Sequence, residues 1–329
     1  MITVYCFGPR GSLPSPSCND GFSTKEFGGN TSCYYIEAGP FRFICDMGSG
    51  ARRLGQFLLA NKQFGEFILG FSHYHWDHVQ GLPFFIPMYI KGNSFYIHGH
   101  EPPGYDQKSC GIKDTVERLL SEQQTAPHFP VAHQSMPARK IYHSHPSQFP
   151  ESFWYFMDEN DKLQFVVDQS LNAQKETLPA SIKNDPKRWI KISTIPLSHP
   201  NDCLGYRIDY MGNSFVYCTD NEPLRNPNHR INTIARDCDL IVLDGQYSDQ
   251  ELATTCQTFG HGSPSSCLEQ QRACNAKHCW IHHHDPNRDD KTLKSWEESL
   301  KELFSQNFSF AREGTAAKID SSDISFFAF

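Results

Sequence analysis

Four side chains of the kinds that bind metals lie close together in the stretch FSHYHWDHVQGLPFF. They are His73, His75, Asp77 and His78. Neutral imidazoles and carboxylates are the usual ligands of Zn²⁺ and of related divalent cations. Side chains alternate along an extended chain, so His73 and His75 face the same way, and a turn after them can bring Asp77 and His78 alongside. Because the apolar run FILGF precedes the stretch and GLPFFIPMYI follows it, we predict a metal centre rather than a polar surface loop.

Further short motifs follow or precede this stretch in a characteristic order. They are GGNTSC at 28–33, ICDMGSG at 44–50, LSHP at 197–200, YCTDNE at 217–222, DGQY at 244–247, GHGS at 260–263 and HHHDP at 282–286. With H-x-H-x-D-H after a buried strand, they resemble the motifs of the metallo-β-lactamase superfamily, and HWDHVQGLPFF is similar to its phosphodiesterase and tRNase Z-like branch. The resemblance covers most of the chain apart from about 101–195.

The resemblance implies two metal sites that share one acid. The ligands it implies for the first site are His73, His75 and His199. Those it implies for the second site are Asp77, His78 and His283, with Asp220 as the bridge. Spacing alone leaves His282 and His284 open as alternatives to His283. We therefore expect two divalent cations as cofactors; the nitrogen-rich ligands favour Zn²⁺, and Mn²⁺ or Fe would accept the same donors.

The catalytic residues are likewise implied by the resemblance. His261 in GHGS and Asp244 in LDGQY resemble the histidine and acid that protonate the leaving oxygen in tRNase Z-like enzymes. Asp77 counts as a catalytic residue as well as a ligand. Asp46 is expected either to hydrogen-bond a ligand histidine or to serve only as a turn residue before Gly48.

The function implied is metal-dependent hydrolysis of a phosphodiester. Two cations about 3.5–4 Å apart can activate a water and stabilise both the attacking and the leaving oxygen. We expect a 3′,5′-cyclic nucleotide as substrate. The main alternative is a tRNase Z-like 3′ endoribonuclease; a thioester or lactone hydrolase, or a nucleotide-binding module without catalysis, fits less well.

The charge of the chain bears on its partners. The 329 residues carry a formal net charge of −7. Proteins that grip a long polyanion usually have a basic surplus, because released counterions supply most of the affinity. We therefore expect a small phosphodiester substrate rather than a long nucleic acid, and the sequence leaves a homodimer open.

The start of the chain and its cysteines bear on location. MITVYCFGPRG contains no basic leader followed by an apolar run, and no stretch of about eighteen apolar residues occurs. The twelve cysteines are scattered without a CxxC pair. We predict a cytoplasmic chain with no membrane span and with reduced, mostly buried thiols.

The elements around the motifs predict one α/β domain over residues 1–329. A strand, a hairpin around Gly39-Pro40, an amphipathic helix and a further strand precede the metal loop, as in a four-layer αββα metallo-β-lactamase sandwich. Residues 101–195 are expected to form an inserted cap, with FWYFM and LQFVV as strands. Its histidines are expected at the surface or in a pocket wall; they are His128, His133, His143 and His145. The helix expected to begin at Pro264 would offer its amino end to a phosphate.

Overall fold

The computed structural model describes residues 1–103, 112, 114–167, 178–223, 229–305, 307–321 and 323–329. In chain order, the described strands are β1 (Ile2–Gly8), β2 (Cys33–Ala38), β3 (Phe41–Cys45), β4 (Glu66–Gly70), β5 (Ser94–Glu101), β6 (Arg139–Pro146), β7 (Ser152–Met157), β8 (Leu163–Val167), β9 (Trp189–Leu197), β10 (Cys203–Tyr210), β11 (Asn213–Cys218), β12 (Leu240–Asp244), β13 (His278–His282), β14 (Phe308–Phe310), β15 (Thr315–Asp320) and β16 (Asp323–Ala328). The described α-helices are α1 (Ala51–Ala60), α2 (Trp76–Val79), α3 (Thr115–Gln123), α4 (Ala180–Lys183), α5 (His229–Ile234), α6 (Asp249–Thr254), α7 (Pro264–Cys274) and α8 (Asp290–Leu303).

The strands form two eight-stranded sheets. The order in the first sheet is β16-β15-β1-β2-β3-β4-β5-β6, and in the second it is β14-β13-β12-β11-β10-β9-β7-β8. The run β3 to β6 is parallel, as is the run β11 to β14. Parallel strands of this kind are usually buried on both faces and rich in apolar residues.

Alternating side chains divide the apolar core into layers. In β12, Leu240 and Val242 pack between the two sheets, whereas Ile241 and Leu243 pack on the outer face of the second sheet. The outer cluster of the second sheet includes residues of α7 and α8, and a corresponding cluster on the first sheet includes residues of α1 and α3. The predicted αββα sandwich is confirmed.

The segment predicted as an insert extends both sheets. FWYFM and LQFVV form β7 and β8, as predicted, and β7 pairs with β9 of the second sheet. β6 pairs with β5 at the edge of the first sheet. Residues 168–177, which follow β8 within the same segment, lie outside the described part of the chain.

Two further expectations concern thiols and membranes. All eleven described cysteines are unpaired, and nine of them are buried, as expected for the scattered thiols. Among the helices that the structure describes, none has the length and apolar character needed to cross a membrane.

The carboxyl ends of the parallel strands bring the motifs together at one edge of the sandwich. Asp46 follows β3, the metal loop follows β4, Asp220 lies two residues after β11, Asp244 ends β12 and His283 follows β13. In open α/β sheets, ligands usually bind beyond the carboxyl ends of the strands. This edge is therefore where a functional site is expected.

Candidate metal centre

Three histidines and one acid form what we call the first ligand group: His73, His75, His199 and Asp220. One nitrogen or oxygen from each residue lies within 4.8 Å of the others. Nε2 of His199 is 3.1 Å from Nδ1 of His75. His73 and His75 come from the loop after β4, and His199 comes from the turn after β9, so both sheets contribute.

Two acids and two histidines form the second ligand group: Asp77, His78, Asp220 and His283. Asp77 and His78 are neighbours on the short helix α2. Nε2 of His283 lies 3.1 Å from Oδ2 of Asp77 and 3.4 Å from Nε2 of His78. All four side chains are buried.

Asp220 belongs to both groups and presents a different oxygen to each. Its Oδ2 lies 3.6 Å from Nε2 of His73 and 3.6 Å from Nε2 of His199. Its Oδ1 lies 3.3 Å from Nε2 of His78 and 3.1 Å from Nε2 of His283. One carboxylate therefore lies between two sets of metal-binding atoms.

The hydrogen bonds on the far side of the rings turn the other ring nitrogen towards the centre of each group. His199 Nδ1–H donates to the carbonyl of Gly260 (2.8 Å), and His78 Nδ1–H donates to Asp46 (2.8 Å). Within the described residues, Nε2 of His73 is buried and has no hydrogen-bond partner. An orphaned buried imidazole nitrogen aimed at a carboxylate is costly unless a further group binds it. The donor atoms thus fit two divalent cations.

Burial and repulsion between neighbouring imidazoles lower the pKa values of the histidines in the first ligand group. Burial, together with the neighbouring His78, holds the pKa of His73 well below its usual range. Burial also lowers the pKa of His75, and it lowers that of His199 to about 4 although Asp220 opposes it. These imidazoles are therefore neutral near pH 7, which is the form that binds metals.

Nearby carboxylates raise the pKa values of the histidines in the second ligand group. Burial alone would lower the pKa of His283, but Asp220, Asp244 and Asp77 outweigh it and raise that pKa to about 9. The same competition raises the pKa of His78 well above its usual range. Burial would raise the pKa of Asp77, yet His78 and His283 hold it well below its usual range. The second group thus concentrates negative charge that stabilises cations.

Asp46 fixes the orientation of His78 in the second ligand group by a hydrogen bond on the outer side of its ring. Besides the bond from His78, its carboxylate accepts hydrogen bonds from Ser72 N–H and Oγ–H (2.7 Å each) and from the Tyr217 hydroxyl (2.8 Å). Asp46 is fully buried and has a positive φ of 59°. Of the two roles considered for Asp46, the structure shows the hydrogen bond to a histidine of the site, His78.

Two further supporting residues were not predicted. Gln246 Oε1 accepts the Nδ1–H of His283 (2.9 Å), and Gln246 Nε2 donates to Ser12 Oγ (3.0 Å). Ser12 N–H donates to Asp77 Oδ2 (2.7 Å). The neighbouring Gly11 lies so close to His283 that an added Cβ would be 2.3 Å from its ring. The sequence signals were the DGQY motif and the glycine-rich loop after β1.

His261 and Asp244 lie beside both groups. His261 Nδ1–H donates to Asp244 Oδ2 (2.8 Å), and the ring of His261 lies 5.0 Å from that of His283 and 5.1 Å from that of His199. With Asp220 and His283, the pair forms a third convergent set of polar atoms. The bond to Asp244 keeps a proton on Nδ1, fixes the orientation of the ring and leaves Nε2 as the nitrogen that can exchange a proton with a substrate.

Of the three consecutive histidines, the structure brings His283 to the second ligand group. Both nitrogens of His282 face hydroxyls, of Tyr34 (3.1 Å) and Ser32 (3.3 Å), while His284 Nε2 bonds the carbonyl of Ala311 (2.9 Å). His283 has a positive φ of 63°, so its side chain leaves the alternation of the strand. This local turn could not be read from spacing.

The expectation of a surface or pocket-wall position was wrong for two histidines. His133 is fully buried and bonds the hydroxyl of Tyr142 (2.8 Å). His145 is buried between Glu151 (2.7 Å) and Nδ1 of His98 (2.7 Å). Burial is tolerated because both rings find hydrogen-bond partners.

The expectation of a phosphate at the start of α7 is not supported. Ser263 is the N-cap and Pro264 the first residue, as predicted. However, the carboxylate of Asp249 accepts hydrogen bonds from the hydroxyls of Ser263 and Ser265. A negative charge from the chain itself already lies at that helix start.

Comparison with known proteins gives a match to a family model over part of the chain and a similarity to a known ribonuclease. A family model described as beta-lactamase superfamily domain matches residues 157–284. The ribonuclease Z of Sulfurisphaera tokodaii is 23% identical over 304 residues, which cover 88% of this chain and 90% of that protein.

Solved structures with the same fold align over nearly the whole chain. The metallo-beta-lactamase fold protein YhfI from Bacillus subtilis superimposes with a TM-score of 0.58 at 17% identity, covering 97% of this chain and all of that one. Zn²⁺-bound PqqB from Methylobacterium extorquens gives a TM-score of 0.61 at 12% identity, covering 96% of this chain and all of that one. At these identities the likeness establishes the fold.

Proposed function

We propose that this chain is a metal-dependent phosphodiesterase. Its residues 157–284 match a beta-lactamase superfamily domain, and it has the metallo-β-lactamase fold. The observation that carries the proposal is Asp220, whose two oxygens face two separate sets of imidazole and carboxylate ligands. A shared acid between two cation sites is suited to in-line displacement at phosphorus, because attacking and leaving oxygens both need charge stabilisation.

The first ligand group would hold one divalent cation and the second ligand group another. When bound, the cations supply Lewis acidity at phosphoryl oxygens and lower the pKa of water. Zn²⁺ is the proposed metal, since imidazole nitrogens dominate the ligands, with Mn²⁺ or Fe as alternatives. Asp77 would serve both as a ligand and as a catalytic carboxylate, held in place by the N–H of Ser12.

His261 would donate the proton to the leaving oxygen, with Asp244 as its positioning partner. A ribose alkoxide is a poor leaving group, so cleavage needs an acid within reach. His261 has its Nδ1–H bound to Asp244 and lies beside both ligand groups. That arrangement supports a proton donor at Nε2 on a ring that Asp244 holds in place.

A 3′,5′-cyclic nucleotide is the proposed substrate. The formal net charge of −7 suits a substrate with one phosphate, which the metal centre itself can hold. The chain would act as one domain.

Cleavage of RNA is a second candidate, against the expectation from charge alone. It is favoured by the similarity to a ribonuclease Z over 88% of the chain. Within that candidate, a precursor tRNA would be cut by the same residues in the same roles.

A substrate panel separates these candidates. The metal-loaded protein should hydrolyse bis(p-nitrophenyl) phosphate. When cyclic mononucleotides, cyclic dinucleotides and precursor tRNA are compared, the cyclic mononucleotides should give the highest kcat/KM. A higher kcat/KM for precursor tRNA would replace the cyclic nucleotide by RNA. No hydrolysis of any phosphodiester by protein with a full metal content would reject the proposed function.

A further inference from the structure

We propose that Phe259 and Tyr247 form an aromatic subsite that binds the base of a nucleotide substrate on the leaving-group side of the metal centre. The inference rests on the proposed phosphodiesterase function. It names a recognition element that the metal ligands themselves cannot provide, because cations bind the phosphate of any phosphodiester alike.

A continuous series of ring contacts leads from the metal centre to Phe259. The ring of His261 lies beside those of His199 and His283. Tyr247 packs edge-on against His261 with centroids 5.7 Å apart, and Phe259 packs against Tyr247 at 6.3 Å. The two aromatic rings therefore border the site directly beyond the proposed proton donor.

Phe259 is exposed although the loop around it is firmly held. Its side chain is 52% exposed. The preceding Thr258 donates its N–H to the buried carboxylate of Glu222 (3.0 Å), and the following Gly260 accepts the Nδ1–H of His199 (2.8 Å). Gly260 has a φ of 89°, and an added Cβ would lie 2.3 Å from His199. The loop thus fixes a ligand histidine and an exposed aromatic ring together.

The backbone at this loop is strained. Thr258 has a φ of 75°, which is a genuine outlier for a β-branched residue. Such conformations cost free energy and persist at sites where the surrounding structure requires them. A single exposed Phe is ordinary on a protein surface, but an exposed Phe on a strained and anchored loop beside a metal centre calls for a ligand.

A planar base is the ligand that this subsite fits. Aromatic side chains bind bases by stacking, which tolerates different bases because each has a π face. His261 would protonate the leaving oxygen, so the group beyond His261 belongs to the ribose that carries that oxygen. In a 3′,5′-cyclic nucleotide, this ribose carries the base.

The test compares two ligands that differ only in the base. AMP and ribose 5-phosphate are titrated by calorimetry into the metal-loaded full chain. We expect AMP to bind about 5- to 150-fold more tightly, the range that one stacked base contributes. Phe259→Ala should remove most of this preference and leave the affinity for ribose 5-phosphate unchanged, whereas Phe259→Trp should retain the preference.

Matched controls identify the residue responsible. Phe64 is also exposed (46%) but precedes the amino end of β4, whereas the metal loop follows the carboxyl end. Phe64→Ala should change neither affinity. Trp76 is 80% exposed between two ligand residues; loss of the preference in Trp76→Ala but not in Phe259→Ala would overturn the assignment.

The inference and the proposed function fail in different ways. Equal affinity of the unaltered protein for both ligands, or no binding of either, would overturn the subsite, as would an unchanged preference in Phe259→Ala. Hydrolysis of bis(p-nitrophenyl) phosphate is measured on the same preparation. Its absence would reject the phosphodiesterase, while a preference for AMP that depends on Phe259 would still establish the base subsite.

Discussion

The two ligand groups share Asp220 and differ in nearly everything else. The first group surrounds that carboxylate with three imidazoles, and burial lowers the pKa of His199 to about 4. The second group adds Asp77 and has Asp46 and Asp244 behind it. Against the effect of burial, Asp220, Asp77 and Asp244 raise the pKa of His283 to about 9. Similar side chains therefore prefer opposite protonation states a few ångströms apart.

This difference shows that the balance of charge, rather than the number of histidines, distinguishes the two sites. Neutral imidazoles in the first group can bind a cation without losing protons. In the second group a cation must displace protons that the carboxylates also stabilise. The richer oxygen donors of the second group also suit harder cations such as Mn²⁺ better than those of the first group do. If the two groups form one centre through Asp220, loss of that acid should affect both metals, whereas a change of pH should affect the second metal more than the first.

The largest effect is expected at the shared acid. Asp220→Ala should remove a ligand from both groups, lower the content of both metals and reduce hydrolysis of a phosphodiester by about 10⁴-fold or more. Metal content and kcat/KM are measured together.

A buried acid away from the centre provides the control for Asp220. Asp239 precedes β12 and accepts hydrogen bonds from Ser214. Asp239→Asn should leave the metal content unchanged even if it lowers stability. If Asp220→Ala lost only one metal, the two groups would not share this carboxylate.

The next effect concerns proton donation. His261→Ala should slow hydrolysis of a natural phosphodiester by about 10²–10⁴-fold, the usual contribution of a general acid. Bis(p-nitrophenyl) phosphate should lose much less, because its phenolate leaves without protonation. Equal losses on both substrates with unchanged metal content would remove His261 from the acid role, and a loss of metal would make it a ligand.

The pH dependence of metal binding should separate the two groups. The pKa of His283 is raised to about 9 and that of His78 is raised as well, so below pH 9 their protons compete and the second cation should bind at least about tenfold more weakly per pH unit. The pKa of His199 is lowered to about 4, so the first cation should resist protons down to that pH. Elemental analysis after dialysis at a series of falling pH values should show that one metal per chain is lost at a higher pH than the other. Loss of both metals at the same pH would mean that protons compete equally with the cations of the two groups.

The smallest effect is expected at the supporting amide. Gln246→Ala removes the acceptor that orients His283 and should weaken metal binding in the second group by about 10–100-fold, as usual for such partners. The matched control is Gln271, a buried glutamine on α7 that bonds the carbonyl of Asn307. Gln271→Ala should leave metal binding unchanged. An equal change in both variants would point to a loss of stability instead.

The sequence predicted those parts of the centre that depend on local order. His73, His75, Asp77 and His78 lie within six residues, so a strand followed by a turn is enough to place them together. The αββα layers were predictable for the same reason, because alternating apolar strands and amphipathic helices fix which faces are buried.

The remaining parts depend on long-range geometry. His283 leaves the strand through a positive φ that no spacing rule indicates, and Gln246 reaches it only because β12 and β13 are neighbours. His133 and His145 were misplaced because partners far along the sheet, such as His98, make their burial tolerable. The roles of such residues follow from tertiary pairing rather than from composition.

The metal content of the unaltered protein tests the dinuclear centre most directly. Protein purified from medium containing balanced Zn²⁺, Mn²⁺ and Fe should carry two divalent cations per chain at pH 8, and the rate of phosphodiester hydrolysis should rise until both are bound. One tightly held cation per chain with full activity would contradict the shared role of Asp220 and the two-metal phosphodiesterase.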